Sequence, residues 1–423
     1  MEPERWLARC FVASGFAGVG YQVVLSREVQ GIVGGTAHAV SALLVAFMLG
    51  TSLGAWLAGR FVDHSPRPLR WYCWAEAGIG AYALGFGVVH LGLGRIYLAL
   101  VPAIGSDLLG RNAVRFLVGV LAFVVPAALM GITTPAFARA VVARRPDAGR
   151  WLARLYGWNT LGAAAGAFTT AYVLVPSLGT RGSTVFLGLL NLAVALIAWP
   201  FVTHTGAPAA SEAQSTPSAG GRPLLGLALV AAGTGFLSFS LEVIWTHLLT
   251  ILLGNSVYAF GLMLGSLLLG LGLGTYLAQA LVARGVSVPS ALGVLIAGAG
   301  LAVGMSMWVW DDVPRVFLAL ARQSPDFFKM ELVRFLVALG LMFVPTLVLG
   351  ASFPLLLGAA STLAPTRVGA STARIYASNT LGGILGALAT PWVMLPALGS
   401  LDALRCLSGG LLLVGAAVCA GVA

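Results

Sequence analysis

Seven side chains with polar chemistry fall inside long apolar runs: Gln22, Arg27, Glu28, Arg115, Glu242, His247 and Arg334, with Glu331 near the end of one run. Charge at the centre of a bilayer is costly, so such residues mark a solute or ion path by default. Ser238, Glu242 and Thr246 recur at i, i+4 and i+8, which places them on one helical face with His247 close by. Glu242 lies 12 residues before the turn glycine Gly254, about 18 Å along a helix and so near the bilayer midplane. A carboxylate at that depth could bind a cation or carry a proton; the alternative is a buried ion pair with an arginine of another span. Arg115 and Arg334 sit about a turn inside the outer ends of their spans, where they could attract an anion, close a gate or snorkel outward. Glu76 lies one or two turns from a cluster of cytoplasmic arginines and reads as a local salt bridge.

Other chemistries lack their residues. There is no Walker A sequence, no HExxH and no Gly-x-Ser-x-Gly, and the glycine-rich Gly270–Gly274 stretch sits in an apolar helix without a strand before it. The five histidines and the cysteines Cys10, Cys73, Cys406 and Cys419 have no metal-ligand spacing. The expectation is no catalytic constellation, no metal, no cofactor and no enzyme activity.

The elements that must position the polar residues are membrane helices. Of 423 residues, 59% are hydrophobic and 9% are charged, against roughly 25% charged in a soluble domain. That excludes a soluble globular chain, and the formal net charge of +10 does not signal nucleic acid, because most arginines sit in short loops between apolar runs. Spans are predicted at about 6–32, 37–59, 71–93, 113–141, 153–176, 182–202, 224–253, 257–283, 289–310, 331–361, 372–396 and 402–422. The N-terminal run, with Glu2 and Glu4 beside its arginines and no small-residue cleavage site, reads as a retained span. Residues 203–222 are rich in Ala, Ser, Thr, Pro and Gly and read as a flexible cytoplasmic linker between an N-terminal six-helix repeat, 1–202, and a C-terminal one, 223–423.

The halves repeat one another. Tyr156–Gly166 (YGWNTLGAAAG) matches Tyr376–Gly386 (YASNTLGGILG), Gly50 and Gly54 match Gly270 and Gly274, and Pro126 and Pro135 match Pro345 and Pro354, all at offsets of 219 or 220. Gln22 is the counterpart of Glu242. An even number of spans per half makes the repeats parallel, as in major facilitator transporters, where the spans carrying the polar residues, one, four, seven and ten, line the central path. The fold expected is therefore an all-α polytopic membrane protein of about 12 helices in two parallel repeats. Fourteen basic residues fall on one side and ten on the other, which favours both termini in the cytoplasm and placement in a bacterial inner membrane.

Gly162-x-x-x-Gly166 and Gly382-x-x-x-Gly386 put small residues on one helix face for close packing, within the chain or in a dimer. Asn159 and Asn379 precede them and could hydrogen-bond across helices. Thr36 and Ser256 suit N-caps, and the paired prolines of spans four and ten predict kinks, static or gating.

Residues 15–29 (GFAGVGYQVVLSREV), 235–249 (GFLSFSLEVIWTHLL) and the two NTLG segments resemble the membrane domain linked to bacterial spermidine synthases. The family pattern has Tyr-Glu-x-x-Trp-x-Arg in the first helix. The first half keeps Tyr21 and Arg27 but has Gln22 and Leu25; the second keeps Glu242 and Trp245 but has Leu241 and His247. The resemblance implies a major-facilitator-like fold and a polyamine connection, here as a stand-alone membrane domain without the synthase. Two functions follow as expectations: a transporter-like protein moving a small charged solute by alternating access, or a non-transporting membrane subunit that anchors a partner protein.

Overall fold

A bilayer offers no partner for backbone amides, so apolar stretches close their hydrogen bonds internally as helices. In the computed structural model, residues 3–33, 37–62, 65–105, 107–141, 148–203, 221–254, 256–310, 312–322, 326–363 and 368–421 are described, and nearly all of them are helical. The chain divides into two compact units, Met1–Thr216 and Pro217–Ala423. The first holds α1 (Pro3–Val33), α2 (Ala37–Phe61), α3 (Pro68–Ile104), α4 (Leu108–Val141), α5 (Ala148–Thr169) and α6 (Val175–Ala198). The second holds α7 (Gly221–Leu253), α8 (Val257–Ala283), α9 (Val288–Trp310), α10 (Val313–Arg322), α11 (Phe327–Leu363), α12 (Val368–Ala389) and α13 (Leu395–Cys419). Most of the 203–222 segment lies outside the described residues, as does Thr36.

Among the described residues, ten segments are long and apolar enough to cross a membrane, and two of them are double. Arg154–Phe201 runs for 48 residues, roughly 72 Å if straight, more than twice the hydrocarbon thickness of about 30 Å. It folds back at Gly179, whose φ of 69° and ψ of 178° break the helix. A Cβ placed on Gly20 of α1 would meet Thr170 at 2.8 Å and Leu187 at 2.9 Å. Those side chains lie on either side of the break, so both legs pack on α1. The same turn occurs at Gly399, φ 72° and ψ 179°, with Gly383 and Gly410 on the two legs facing Phe239 and Leu237 of α7. Twelve crossings result. Each turn follows a π-helical segment, Thr170–Leu174 and Thr390–Met394, which the hydrophobic pattern does not announce.

Within each unit the helices pair alike: α1 with α5, α2 with α4 and α3 with α6, then α7 with α12, α8 with α11 and α9 with α13. Glycines set the approach. Gly162 and Gly166 lie against the backbone of Val12 and Phe16, and Gly382 and Gly386 against that of Ala232 and Phe236. Gly50 and Gly54 of α2 face Ala127 and Ala128 of α4, while Gly270 and Gly274 of α8 face Thr346 and Leu347 of α11. The GxxxG faces are thus filled inside their own units.

Asn159 donates its amide to the carbonyl of Phe11 (2.7 Å), and Asn379 donates to that of Ala231 (3.1 Å). An interhelical bond of this kind in a membrane protein contributes about 1 kcal/mol. Asn159→Leu and Asn379→Leu are each expected to lower stability by about that amount, read as a drop of a few degrees in the thermal unfolding midpoint in detergent. An unchanged midpoint for either variant would show that the bond contributes nothing.

Ser256 caps α8, its hydroxyl accepting from the amide of Ala259 (3.1 Å). Pro126, Pro135, Pro345 and Pro354 lie inside α4 and α11. Large apolar side chains such as Val88, Leu98 and Trp308 are 77%, 71% and 86% exposed, a surface suited to lipid and not to water. At the end of α2, Arg60 stacks 4.0 Å over the Trp56 ring, a membrane-interface pairing. α10 departs from expectation. Its sequence Arg315–Leu320 parallels Arg95–Leu100, which continue α3 without interruption. In the second unit α9 stops at Trp310 instead, and the equivalent stretch becomes a separate short helix after the Asp311-Asp312 pair.

Candidate functional site

α7 carries Glu242, Thr246 and His247 within two turns. The Thr246 hydroxyl donates to the carbonyl of Glu242 (2.7 Å), and Thr250 donates to that of Thr246 (2.5 Å). Both threonines are therefore satisfied by their own helix, and the Glu242 carboxyl remains the reactive group on that stripe. Glu242 is half-buried, and among the described residues of its own unit no basic side chain pairs with it. His247 is half-buried one turn on, and Trp245 between them is buried, its indole N–H without a partner.

In the first unit Gln22 occupies the position equivalent to Glu242 and is 5% exposed. Arg27 is exposed on the same helix. Glu28 and Arg27 do not pair; Glu28 instead lies 3.3 Å from Nδ1 of His90 on α3. Arg115 of α4 donates to Asn112 (3.3 Å), and Arg334 of α11 to Glu331. The two arginines thus use the same i−3 partner position, neutral in one unit and anionic in the other. Each keeps a buried Nε without a partner, which leaves donor capacity for an anion or a water.

The structure assembles one polar cluster that sequence reasoning missed. Glu76 of α3 is fully buried and takes no salt bridge to the arginines near the start of α3 among the described residues. Its Oε2 accepts from the Asn191 amide of α6 (2.5 Å), and the Asn191 carbonyl oxygen accepts from the Tyr21 hydroxyl of α1 (2.9 Å). Ser14 and Tyr72 lie beside the carboxyl. The correction has a physical reason: the first turn of α3 carries Arg70 outward, exposed, while Glu76 turns inward to the face shared with α1 and α6. The signal available in the sequence was the coincidence of three polar residues in three apolar runs. Nothing in the spacing showed that those runs pack together.

No protein-family model matches the chain. Among solved structures, a bacterial homologue of the iron transporter ferroportin in an outward-facing state aligns with 99% of this chain and 98% of its own length, at a TM-score of 0.61 and 17% identity. The POT family transporter PepTSo aligns over 99% and 97%, at 0.60 and 12%, and a bacterial homologue of the lysosomal transporter Spinster over 98% and 94%, at 0.55 and 15%. The chain shares the fold of these solved structures and is an integral membrane protein. Among curated proteins it is similar to polyamine aminopropyltransferase 2 of Streptomyces coelicolor, 29% identical over 196 residues, which are 43% of this chain and 31% of that protein. The matched region therefore spans about a third of that relative's length.

Proposed function

We propose that the protein moves a small charged solute across the bacterial inner membrane by alternating access, both termini lying in the cytoplasm. The single observation that supports this most directly is Glu242: a half-buried carboxylate, with no basic partner among the described residues of its unit, at about mid-depth of the first helix of the second repeat, in a fold shared with transporters. Such a group binds a cation or a proton and releases it when its surroundings change. Gln22, Arg27, Glu28, Arg115, His247 and Arg334 are the further residues assigned to the path. Polyamines are the first class to test, on the similarity to the Streptomyces aminopropyltransferase and on the charge complementarity of Glu242.

The test is a thermal-shift screen of the purified protein against polyamines, amino acids and organic anions, followed by flux of any stabilising compound in proteoliposomes. A ligand that binds only the folded state at 100 times its dissociation constant adds about 2.7 kcal/mol, an easily measured rise in midpoint. Stabilisation by spermidine or putrescine followed by flux supports the reading; stabilisation by none of the classes opposes it.

The same partial similarity favours one second reading, a membrane subunit that anchors a soluble aminopropyltransferase. Stable co-purification of such an enzyme, with no ligand-dependent shift, would decide for it.

A further inference from the structure

The duplication supplies an internal control for the Tyr21–Asn191–Glu76 cluster. Equivalent contacts recur at an offset of 220 where α3 meets α6 and α9 meets α13: a Cβ on Gly80 would meet the carbonyl of Gly188 at 2.7 Å, and one on Gly300 that of Ser408 at 2.8 Å. By that register Tyr21, Glu76 and Asn191 correspond to Leu241, Ile296 and Leu411. All six are buried, with Leu241, Ile296, Leu411 and Glu76 at 0% exposure. The same three-helix core is therefore built once from aliphatic side chains and once around a carboxyl. Packing does not demand the carboxyl, and burying it carries a desolvation cost of several kcal/mol unless the charge is paired or removed.

No cation removes that cost among the described residues. The titratable and polar groups facing Glu76 are Cys10, Ser14 and Tyr21 from α1, Tyr72 and Cys73 from its own helix, and Asn191 from α6. From α4, Ala136, Phe137 and Ala140 pack in the same cluster, the Phe137 ring lying 5.4 Å from that of Tyr72. One carboxyl oxygen is occupied by the Asn191 N–H, and the other, Oε1, is buried without a hydrogen-bond partner.

We propose that Glu76 is a proton-binding site of the N-terminal bundle, holding its proton on Oε1 while α1, α3 and α6 are packed and exchanging it with water when they part. Only one proton and one carboxyl are involved: loss of H⁺ leaves a buried carboxylate with Asn191, Ser14 and Tyr72 around it and no cation beside it among the described residues, and regain restores the neutral acid. Tyr21 directly precedes Gln22 on α1, so parting of this interface moves the helix that carries the path residues of the first unit. The site would couple proton exchange to movement of that helix.

The test uses the full-length protein in detergent and needs no solute, so it stands or falls separately from the transport reading. Infrared spectra across pH 5 to 9 are expected to show a protonated-carboxyl stretch that Glu76→Gln removes. Thermal stability gives the second measurement. A folded state that keeps a proton which the unfolded chain has lost above about pH 4.3 becomes less stable as pH rises. The folding constant falls tenfold per pH unit until the folded carboxyl itself ionises. Glu76→Gln should lack that component of the profile. The triple variant Tyr21→Leu, Glu76→Ile, Asn191→Leu copies the core of the second unit, so it gives the readout should the single variant fail to fold. An infrared band and a pH profile unchanged from wild type in whichever variant folds would overturn the proposal, as would a Glu76 ionised throughout that range.

Discussion

With glutamine in place of Glu242, the protein is expected to fold normally and to lose flux of the solute identified in the thermal-shift screen, down to the level of empty liposomes. Glutamine keeps the size and hydrogen-bonding of the carboxyl and removes only its charge and proton. The first unit already carries glutamine at the equivalent position, where Gln22 is well buried, so the fold accommodates that side chain. The sequence context on α7 isolates the effect further, because Thr246 and Thr250 are satisfied by backbone carbonyls of their own helix and do not depend on the carboxyl. The unfolding midpoint should therefore shift little while flux falls. Flux in Glu242→Gln equal to wild type would remove Glu242 from the transport path.

The largest effect on folding is expected from Gly386→Leu. Gly386 of α12 packs on the backbone of Phe236 in α7, and even a Cβ there would collide with that carbonyl. A backbone atom cannot rotate aside as a side chain can, so the helices must separate. Overpacking of cores costs about 1–3 kcal/mol where side chains can adjust; here the cost should exceed that range and leave little monodisperse protein. Gly166→Leu should behave alike, since Gly166 meets Phe16 in the same manner. Gly87→Leu is the control: Gly87 of α3 is exposed, and a Cβ added there would have nothing within 4 Å. Size-exclusion profiles of the three variants should show two losses and one wild-type peak. A monodisperse Gly386→Leu would mean that α7 and α12 do not approach as closely as described.

The spans and the repeat were legible because a bilayer forces both: helices must be apolar for about 20 residues, and a close-packed duplicate must keep its glycines. α8, Val257–Ala283, begins and ends where hydropathy puts it, as the Ser256 cap and the turn at Gly254 fix its start. Features carried by local backbone geometry were not legible. The π-helical segments at Thr170 and Thr390 leave no hydrophobic signature, and α3 continues 11 residues beyond its apolar run to Ile104 because the following stretch remains helical in one unit and breaks in the other. The site was legible residue by residue and not as a set of partners. Glu76 and Asn191 are 115 positions apart; only the pairing of α3 with α6 joins them, so a carboxylate near arginines in the sequence became one held by an amide in the structure. The Glu28–His90 contact was missed for the same reason, since it depends on α1 lying against α3.

The glycine turns at 179 and 399 bear on how the chain enters the membrane as it is synthesised. Each joins two apolar helices with no intervening loop, so in the orientation proposed above each pair must cross as a single hairpin with the turn leading. At the second turn the leading charges are Asp402 and Arg405, which lie one helical turn apart and neutralise each other at 2.6 Å. At the first turn Arg181 leads alone. The second hairpin therefore presents no net charge to the hydrocarbon during insertion, whereas the first must drag a lone guanidinium through it, which makes insertion of the first hairpin the more sensitive of the two to the machinery that inserts them.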